Sequence, residues 1–479
     1  MAQLQRSIDS VRLPRAFQDA IKIARHIGID YLWIDSLCIQ QDEDDLSDWL
    51  VESKKMGQIY ESACLNISAT WAVHGFERLL GQSNWTSKFP SQTELQVDEG
   101  PPRKYHVVDG TLWDDEVERG PLNDRGWVFQ ERILARRVVH FGQTQLGWEC
   151  KSSQALGMFP DGLPVYLGGP EEKPCTEIIS SPKIGVTQGP DKDFAKTWQR
   201  LMGQFTGCQL SFRKDKLIAL EGIATSLERT RPYDTYAAGM WRSTALFDLP
   251  WWRFEEDREE FPIAETHLRA PSWSWASVDG EIGFPLAHNV FPNVREQYAI
   301  VKGLTGHKMD PNGDIINPGT MQVEGICLPM SIQWLENDSL TGFSVPGFRF
   351  STKRRTLESS LHLESSLGTV KQLSHSGKLL LMPLFVTTNA LFCILLEKIR
   401  GPRTHRRIGS AEIAVMVLVL SGMEGREGRD VLRQPCQFPS GGLAAEISDE
   451  ASIFWNKPAV KFIDYLREQS PSARLITIL

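Results

Sequence analysis

Apolar positions near the start of the chain recur with the spacing of a helix. Residues 13–28 place apolar side chains at every third or fourth position, which predicts an amphipathic helix. Pro14 suits its first turn, and Gly28 suits its C-terminal stop. Residues 31–35 then form a short aromatic and β-branched run, which predicts a buried strand ending on an acidic residue. The short link between helix and strand fits an α/β arrangement of layers.

The next pair of elements repeats this change of period. Ser47 or Asp48 can cap a second helix, whose apolar stripe runs as far as residue 63. Residues 64–69 then predict another strand. Strand, helix and strand in this order predict a βαβ unit, in which residues 31–34 and 65–68 pair in parallel.

Further along, the pattern predicts a hairpin, then helices, then many short strands. The predicted elements are a helix at 123–134, a hairpin at 136–150, helices within 194–227 and 236–241, a strand at 271–277, and strands near 321–328, 378–386, 390–398 and 413–420. These changes divide the chain into four parts: an α/β domain at 1–155, a loop or linker at 156–190, a helical region at 191–290 and a β-rich region at 291–479.

Composition narrows the classes of function. The 479 residues carry a net charge of −8, and 41% of them are hydrophobic, which is ordinary for a globular protein. The acidic balance argues against broad nucleic-acid binding, which needs a basic face. No stretch predicts a signal peptide or a membrane span. The eight cysteines show no zinc-site spacing, so we expect reduced thiols, no metal site and a cytoplasmic protein.

One carboxylate interrupts the apolar stripe of the second helix. Glu52 follows Trp49 by three positions and precedes Met56 by four, so it lies on the face that otherwise carries apolar side chains. Burying a carboxylate is costly unless it is paired or hydrogen-bonded. Glu52 is therefore either a pocket carboxylate with a raised pKa or a residue at the edge of the stripe that pairs with a Lys or Arg.

Four further polar side chains are candidates for a pocket. Asp35 ends a predicted parallel strand, where ligands bind in such folds, although an Asp that begins a turn fits equally well. Arg125, Gln130 and Glu131 lie close together on the predicted helix at 123–134, and they can line a polar pocket. A structural network between Arg and carboxylate fits the same residues.

Two blocks of sequence carry a resemblance to a known family. YLWIDSLCIQQD at residues 31–42, with the residues that follow it, resembles the central block of the HET domain, the fungal heterokaryon-incompatibility family. DRGWVFQERILARRVVHFGQTQLGWEC at residues 124–150 is similar to a second block of that family. The resemblance implies an intracellular fungal protein of the incompatibility or innate-immunity type, whose HET domain triggers growth arrest or programmed cell death.

A more distant resemblance implies a chemistry. HET domains are suspected relatives of TIR domains, so the resemblance implies a TIR-like or flavodoxin-like βαβ core. Trp49 and Glu52 are similar to a TIR pattern in which a Trp precedes a helix-borne catalytic Glu by three residues. By this resemblance, Trp49 lines a pocket, NAD is a substrate rather than a cofactor, and Glu52 stabilises an oxocarbenium-like transition state during its cleavage. A non-catalytic interaction module is the remaining alternative.

The chain departs from the family at its start. HET domains open with a strand block resembling S-Y-x-W-G, and none precedes the helix at 13–28. We therefore expect a truncated gene product, an incomplete gene model or an inactive member, with a sheet edge or a pocket wall open near residues 31–35. Open edges invite association, so the expected partner is another protein or a second copy of the chain.

Overall fold

The chain forms helices and sheets that group into two compact units. The computed structural model describes residues 8–40, 47–72, 79, 91–96, 101–164, 167, 191–254, 270–288, 293–306, 308–309, 315–317, 319–334, 340–352, 359–365, 367–401, 403–414, 416–420, 451–455, 457–469 and 473–479. The first unit takes in residues 1–185 and 207–232, and the second takes in residues 186–206 and 233–479. The predicted division into four parts stays a prediction.

The helices of the described residues include three single-turn segments. In chain order they are α1 Arg15–His26, α2 Asp35–Cys38, α3 Ser47–Ser62, α4 Gly126–Leu134, α5 Lys192–Gly207, α6 Glu221–Thr230, α7 Ala245–Asp248, α8 Pro285–His288, α9 Leu367–His375 and α10 Lys457–Gln469. A π-helix occupies Asp114–Glu118, and short 3-10 helices occupy Ser10–Arg12, Pro121–Asp124, Arg213–Lys216, Ile218–Leu220 and Trp275–Ser277.

The strands are short in the first unit and longer towards the end of the second. The first unit contains β1 Asn66–Ser68, β2 Ser91–Leu95, β3 Arg103–Val107, β4 Arg137–Phe141, β5 Leu146–Cys150 and β6 Gln154–Leu156. The second contains β7 Tyr236–Ala237, β8 Met240–Trp241, β9 Trp252–Arg253, β10 Ile282–Gly283, β11 Glu296–Gln297, β12 Ala299–Thr305, β13 Lys308–Met309, β14 Ile315–Asn317, β15 Thr320–Gly325, β16 Leu328–Pro329, β17 Ser331–Trp334, β18 Leu340–Val345, β19 Phe348–Ser351, β20 Ser359–Leu363, β21 Leu379–Val386, β22 Ala390–Arg400, β23 Thr404–Ala414, β24 Met416–Leu420, β25 Ala451–Trp455 and β26 Arg474–Ile478.

The first helix forms as its pattern predicts. Pro14 stands just before α1, and Gly28 just beyond it adopts φ +74°, a conformation that glycine accepts without steric cost. The buried face also holds one carboxylate, Asp19, which is only 3% exposed. Its oxygens accept hydrogen bonds from the Leu79 backbone N–H at 3.1 Å and from Lys22 at 2.8 Å, which offsets the cost of burial.

The prediction of a strand at residues 31–35 is wrong. These residues form no strand: Tyr31 is 91% exposed, and Asp35 begins α2 instead. The Trp33 ring packs edge-on against the ring of Tyr60, with 5.6 Å between their centroids. The predicted βαβ unit and the open sheet edge at 31–35 are therefore wrong as well, and the TIR-like or flavodoxin-like core is not confirmed.

The sheet of the first unit forms from strands that are far apart in sequence. β1 pairs in parallel with β4, matching Asn66 to Val138, and β4, β5 and β6 continue the sheet in antiparallel order. The predicted strand at 64–69 and the predicted hairpin at 136–150 are both confirmed. The predicted helix at 123–134 is confirmed as α4, after the 3-10 turn at Pro121–Asp124.

Two glycines let α3 and α6 cross at close range. A Cβ on Gly57 would lie 2.5 Å from the Cα of Gly222, and a Cβ on Gly222 would lie 2.7 Å from the Cα of Gly57. Real Cβ atoms do not approach backbone this closely, so neither position tolerates a side chain without movement of a helix. Leu134 of α4 lies against both glycines, which makes this crossing the packing centre of the three helices.

The β-rich region predicted at the C-terminal end of the chain is confirmed. Its largest sheet closes on itself, because residues 296–305 pair with β21 through β11 and with β15 through β12. Between them lie β22, β23 and β26, the last joined in parallel to β23. Strand β21 is buried along almost its whole length, as expected for a strand covered on both faces.

Two motifs of the second unit form turns where regular elements were predicted. The helix predicted at 236–241 is wrong: β7 and β8 form a hairpin, whose turn places Ala238 at φ 46° and Gly239 at φ 85°. The strand predicted at 271–277 is also wrong. There, Ser274 donates a hydrogen bond to the Ala238 carbonyl, and Trp275 and Trp198 both donate to the Gly239 carbonyl. These side-chain bonds hold the buried turn.

The helix crossing leads to a prediction about stability. We expect Gly57→Ala to lower the free energy of unfolding of the first unit by about 1 to 3 kcal/mol, because the added methyl group forces α3 away from α6. Chemical denaturation of the full chain measures this loss. Gly110→Ala is the control, since a Cβ there has no atom within 4 Å. Equal stability of the two variants would contradict the close crossing.

Candidate functional site

Four polar side chains from three helices meet beside the α3–α4 contact. Tyr60 lies in the last turn of α3, and Glu131 lies near the end of α4, where it accepts a hydrogen bond from the Tyr60 hydroxyl. Asp35 at the start of α2 and Arg125 at the N-terminus of α4 are close enough for their charges to act on Glu131. We call these four residues the Tyr60–Glu131 cluster.

Glu131 has the protonation behaviour of an acid–base group. Burial raises its pKa to about 7, and the negative charge of Asp35 adds to the increase. The hydrogen bond from Tyr60 and the positive charge of Arg125 act in the opposite direction. A carboxylic acid in this range can both hold and release a proton near neutral pH, which is the property that general acid–base catalysis requires.

Tyr60 completes the cluster, although the sequence pattern did not single it out as a site residue. Burial raises the pKa of Tyr60, and the neighbouring Glu131 charge raises it further, so the hydroxyl stays protonated and acts as a donor. Trp33 packs against its ring. The available signal was its position, since Tyr60 lies eleven residues after Trp49 and thus on nearly the same side of the helix.

The predicted pocket residues divide between three places. Asp35, Arg125 and Glu131 come together as described. Trp49 instead meets Trp127 edge-on at 6.1 Å between ring centroids. Gln130 is 1% exposed and lies at the α3–α6 crossing, where its amide oxygen would be 2.7 Å from a Cβ on Gly222. Neither polar atom of that amide has a hydrogen-bond partner within the described residues.

Glu52 lies apart from the Tyr60–Glu131 cluster. It precedes Tyr60 by eight residues, which corresponds to about 12 Å along a helix. Its carboxylate accepts a hydrogen bond from Lys55 at 2.7 Å, and the side chain is 24% exposed. This is the arrangement expected of a residue at the edge of the apolar stripe, and it leaves the carboxylate within reach of solvent.

A second polar network surrounds Arg132, the residue of α4 that follows Glu131. Arg132 donates from Nη1 and Nη2 to the two carboxylate oxygens of Glu118 and from Nε to Glu149, each at 2.7 Å. The guanidinium side chain is 11% exposed, and Glu149 has no exposed surface. Burial alone would raise the pKa of Glu149, but Arg132 and a hydrogen bond from His140 outweigh it and lower the pKa to about 2.

The network continues into the sheet through His140. Burial lowers the pKa of His140, so the imidazole is neutral and its Nε2–H donates to the ionised Glu149 at 3.2 Å. Its Nδ1 then accepts from the Thr70 hydroxyl at 3.0 Å, and Thr70 meets Ser68 at 2.9 Å. Hydroxyl, imidazole and carboxylate are in series, as in hydrolases, but all of them are buried, so the series connects strands rather than facing a substrate.

The buried ion pair predicts a loss of stability in acid. The lowered pKa of Glu149 stabilises the fold fully above about 4.5, its ordinary value, and this contribution disappears as the pH falls towards 2. We expect the stability difference between wild type and Glu149→Gln to shrink by roughly 3 kcal/mol over that window. Urea denaturation at several pH values measures it. A difference that does not change with pH would contradict an ionised, Arg132-paired Glu149.

Comparison with known proteins agrees with the motifs. Residues 1–131 match the family described as Heterokaryon incompatibility protein (HET), and the match contains the whole Tyr60–Glu131 cluster. No curated protein and no solved structure gives a significant match. Within the described residues, no helix is long and apolar enough to cross a membrane. The resemblance to HET domains is thereby confirmed over residues 1–131.

Proposed function

We propose that this chain is an effector of fungal non-self recognition, which arrests growth or kills the cell when its HET domain is activated. The observation that carries the proposal is the family match over residues 1–131. We further propose that the protein acts in the cytoplasm as part of an innate-immunity response. Activation by a protein partner, or by a second copy of the chain, belongs to the same proposal.

The Tyr60–Glu131 cluster is the proposed active centre of this effector. Glu131 can exchange a proton near neutral pH, and Tyr60 offers a hydroxyl donor to it. Arg125 is exposed at the N-terminus of α4, where it can hold an anionic group of a substrate beside the carboxylate. These three roles describe a proton-transfer site, open to solvent at Arg125.

A second candidate function assigns the chemistry to Glu52. The supporting observation is that the Glu52 carboxylate reaches solvent from α3, one turn after Trp49. In that case the chain is a TIR-like hydrolase that cleaves NAD, with Glu52 stabilising the positive charge that develops on the ribose. Lys55 weakens this role, because its ammonium already neutralises the carboxylate at 2.7 Å. A third candidate, a non-catalytic interaction module, requires neither carboxylate.

The two carboxylates lead to opposite predictions for one pair of variants. We expect Glu131→Gln to abolish growth arrest when the full chain is expressed in a fungal host, because the amide cannot exchange a proton. Glu52→Gln, the matched control, should leave the arrest intact and only break an exposed ion pair. Viable colony counts measure the arrest, and thermal melting checks that both variants fold. Arrest that survives Glu131→Gln but not Glu52→Gln would overturn the first assignment in favour of the second.

Direct chemistry separates the remaining alternatives. If Glu52 is catalytic, purified wild-type protein consumes NAD and the Glu52→Gln variant does not. We expect no dependence of NAD consumption on Glu52, since Lys55 pairs with that carboxylate. Growth arrest that persists in both variants, without NAD loss, would refute both catalytic assignments and favour the interaction module.

A further inference from the structure

Glu131 and Arg132 are neighbours on α4, and their side chains contact two different groups of residues. Glu131 joins the Tyr60–Glu131 cluster, while Arg132 enters the buried network of Glu118 and Glu149. We propose that Arg132, together with Asn66 of β1, is a positioning residue that holds α4 where the Glu131 carboxylate meets the Tyr60 hydroxyl. The inference rests on the proposed function of Glu131.

Arg132 holds α4 with three hydrogen bonds in fixed directions. The two bonds to Glu118 are bidentate, and the third, from Nε, goes to Glu149 at 2.7 Å. A planar guanidinium can satisfy this geometry in one orientation only, unlike an ammonium group. The position of the Arg132 side chain therefore restricts the rotation of α4 about its own axis, and with it the direction in which Glu131 points.

Asn66 holds the same turn of α4 from the sheet. Its Nδ2 donates to the backbone carbonyl of Glu131 at 3.4 Å. Glu131 is the fourth residue from the end of α4, and the last four carbonyls of a helix have no partner inside the helix. Asn66 thus supplies a hydrogen bond that the helix itself cannot supply, and it does so at the residue that carries the proposed acid–base group.

Both contacts originate in one connected part of the sheet. Glu149 lies on β5 and receives the His140 imidazole of β4, whose other nitrogen faces Thr70. Thr70 meets Ser68, the last residue of β1, and Asn66 is the first residue of that strand. The sheet therefore holds two adjacent residues of α4, one through its carbonyl and the other through its side chain.

A spectroscopic readout tests positioning independently of any activity. Full-length protein with carboxyl-¹³C-labelled glutamate is titrated by NMR, and the Glu131 signal is assigned by its absence in Glu131→Gln. We expect Arg132→Lys to move the midpoint of Glu131 down by about one pH unit or more, towards its ordinary value of 4.5, because a released carboxylate regains solvent. Arg137→Lys is the control, since exposed Arg137 bonds only weakly, to the Cys64 carbonyl at 3.4 Å.

A second variant keeps the test valid if Arg132→Lys fails to fold. Asn66→Ala removes one hydrogen bond and leaves the buried ion pairs in place, and we expect a smaller shift of the Glu131 midpoint in the same direction. A midpoint that matches wild type in every folded variant at these two positions would overturn the positioning role, even if the variants are less stable.

Growth arrest by the same variants separates this inference from the proposed function. If Glu131→Gln still arrests growth while Arg132→Lys shifts the midpoint, the proposed function fails and the positioning role stands. If Glu131→Gln abolishes arrest but the midpoint does not move in Arg132→Lys or Asn66→Ala, the positioning role fails alone. If the proposed function and the positioning role both hold, growth arrest declines in Arg132→Lys and remains in Arg137→Lys.

Discussion

The placement of α4 in the first unit depends on the ion pairs of Arg132 with Glu118 and Glu149. Such pairs add little net stability, because removing the charges from water costs about as much as their attraction returns. Breaking one of them is expensive, however, since it leaves a buried charge without a partner. What the network provides is a defined geometry: α4 has one orientation in which Arg132 reaches both carboxylates, and in that orientation Glu131 faces Tyr60.

Steric packing complements this polar restraint on the opposite side of α4. Gly57 and Gly222 bring α3 and α6 into backbone contact, and Leu134 of α4 packs against both glycines. Because α3 also carries Tyr60, the same crossing sets the distance between the Tyr60 hydroxyl and α4. The candidate site thus lies between a polar network, which orients one helix, and a close crossing, which positions the other.

Local pattern predicted the longer helices of the first unit well and the long-range pairing of strands poorly. The helix at α1 and the hairpin of β4 and β5 follow from periodicity and turn residues that lie within a few positions of each other. Residues 31–35 have strand-like composition but form no strand, and Tyr31 is exposed to solvent. Strand β1 pairs instead with β4, which lies some seventy positions later in the chain. Composition does not specify which segments become neighbours. The turn at Ala238 was missed for a related reason, because its hydrogen bonds come from distant side chains such as Ser274.

Part of the candidate site was also predictable. Asp35, Arg125 and Glu131 were named from motif and spacing, and the fold brings them together, whereas Glu52 turned out to lie about 12 Å along α3 from Tyr60. The most direct test of the account is growth arrest in a fungal host by Tyr60→Phe, compared with Glu131→Gln and with the control Glu52→Gln. If Tyr60 and Glu131 act as one unit, Tyr60→Phe reduces arrest towards the level of Glu131→Gln, whereas Glu52→Gln arrests growth as wild type does. Full arrest by a folded Tyr60→Phe variant would show that the hydroxyl does not serve Glu131, and would contradict the account.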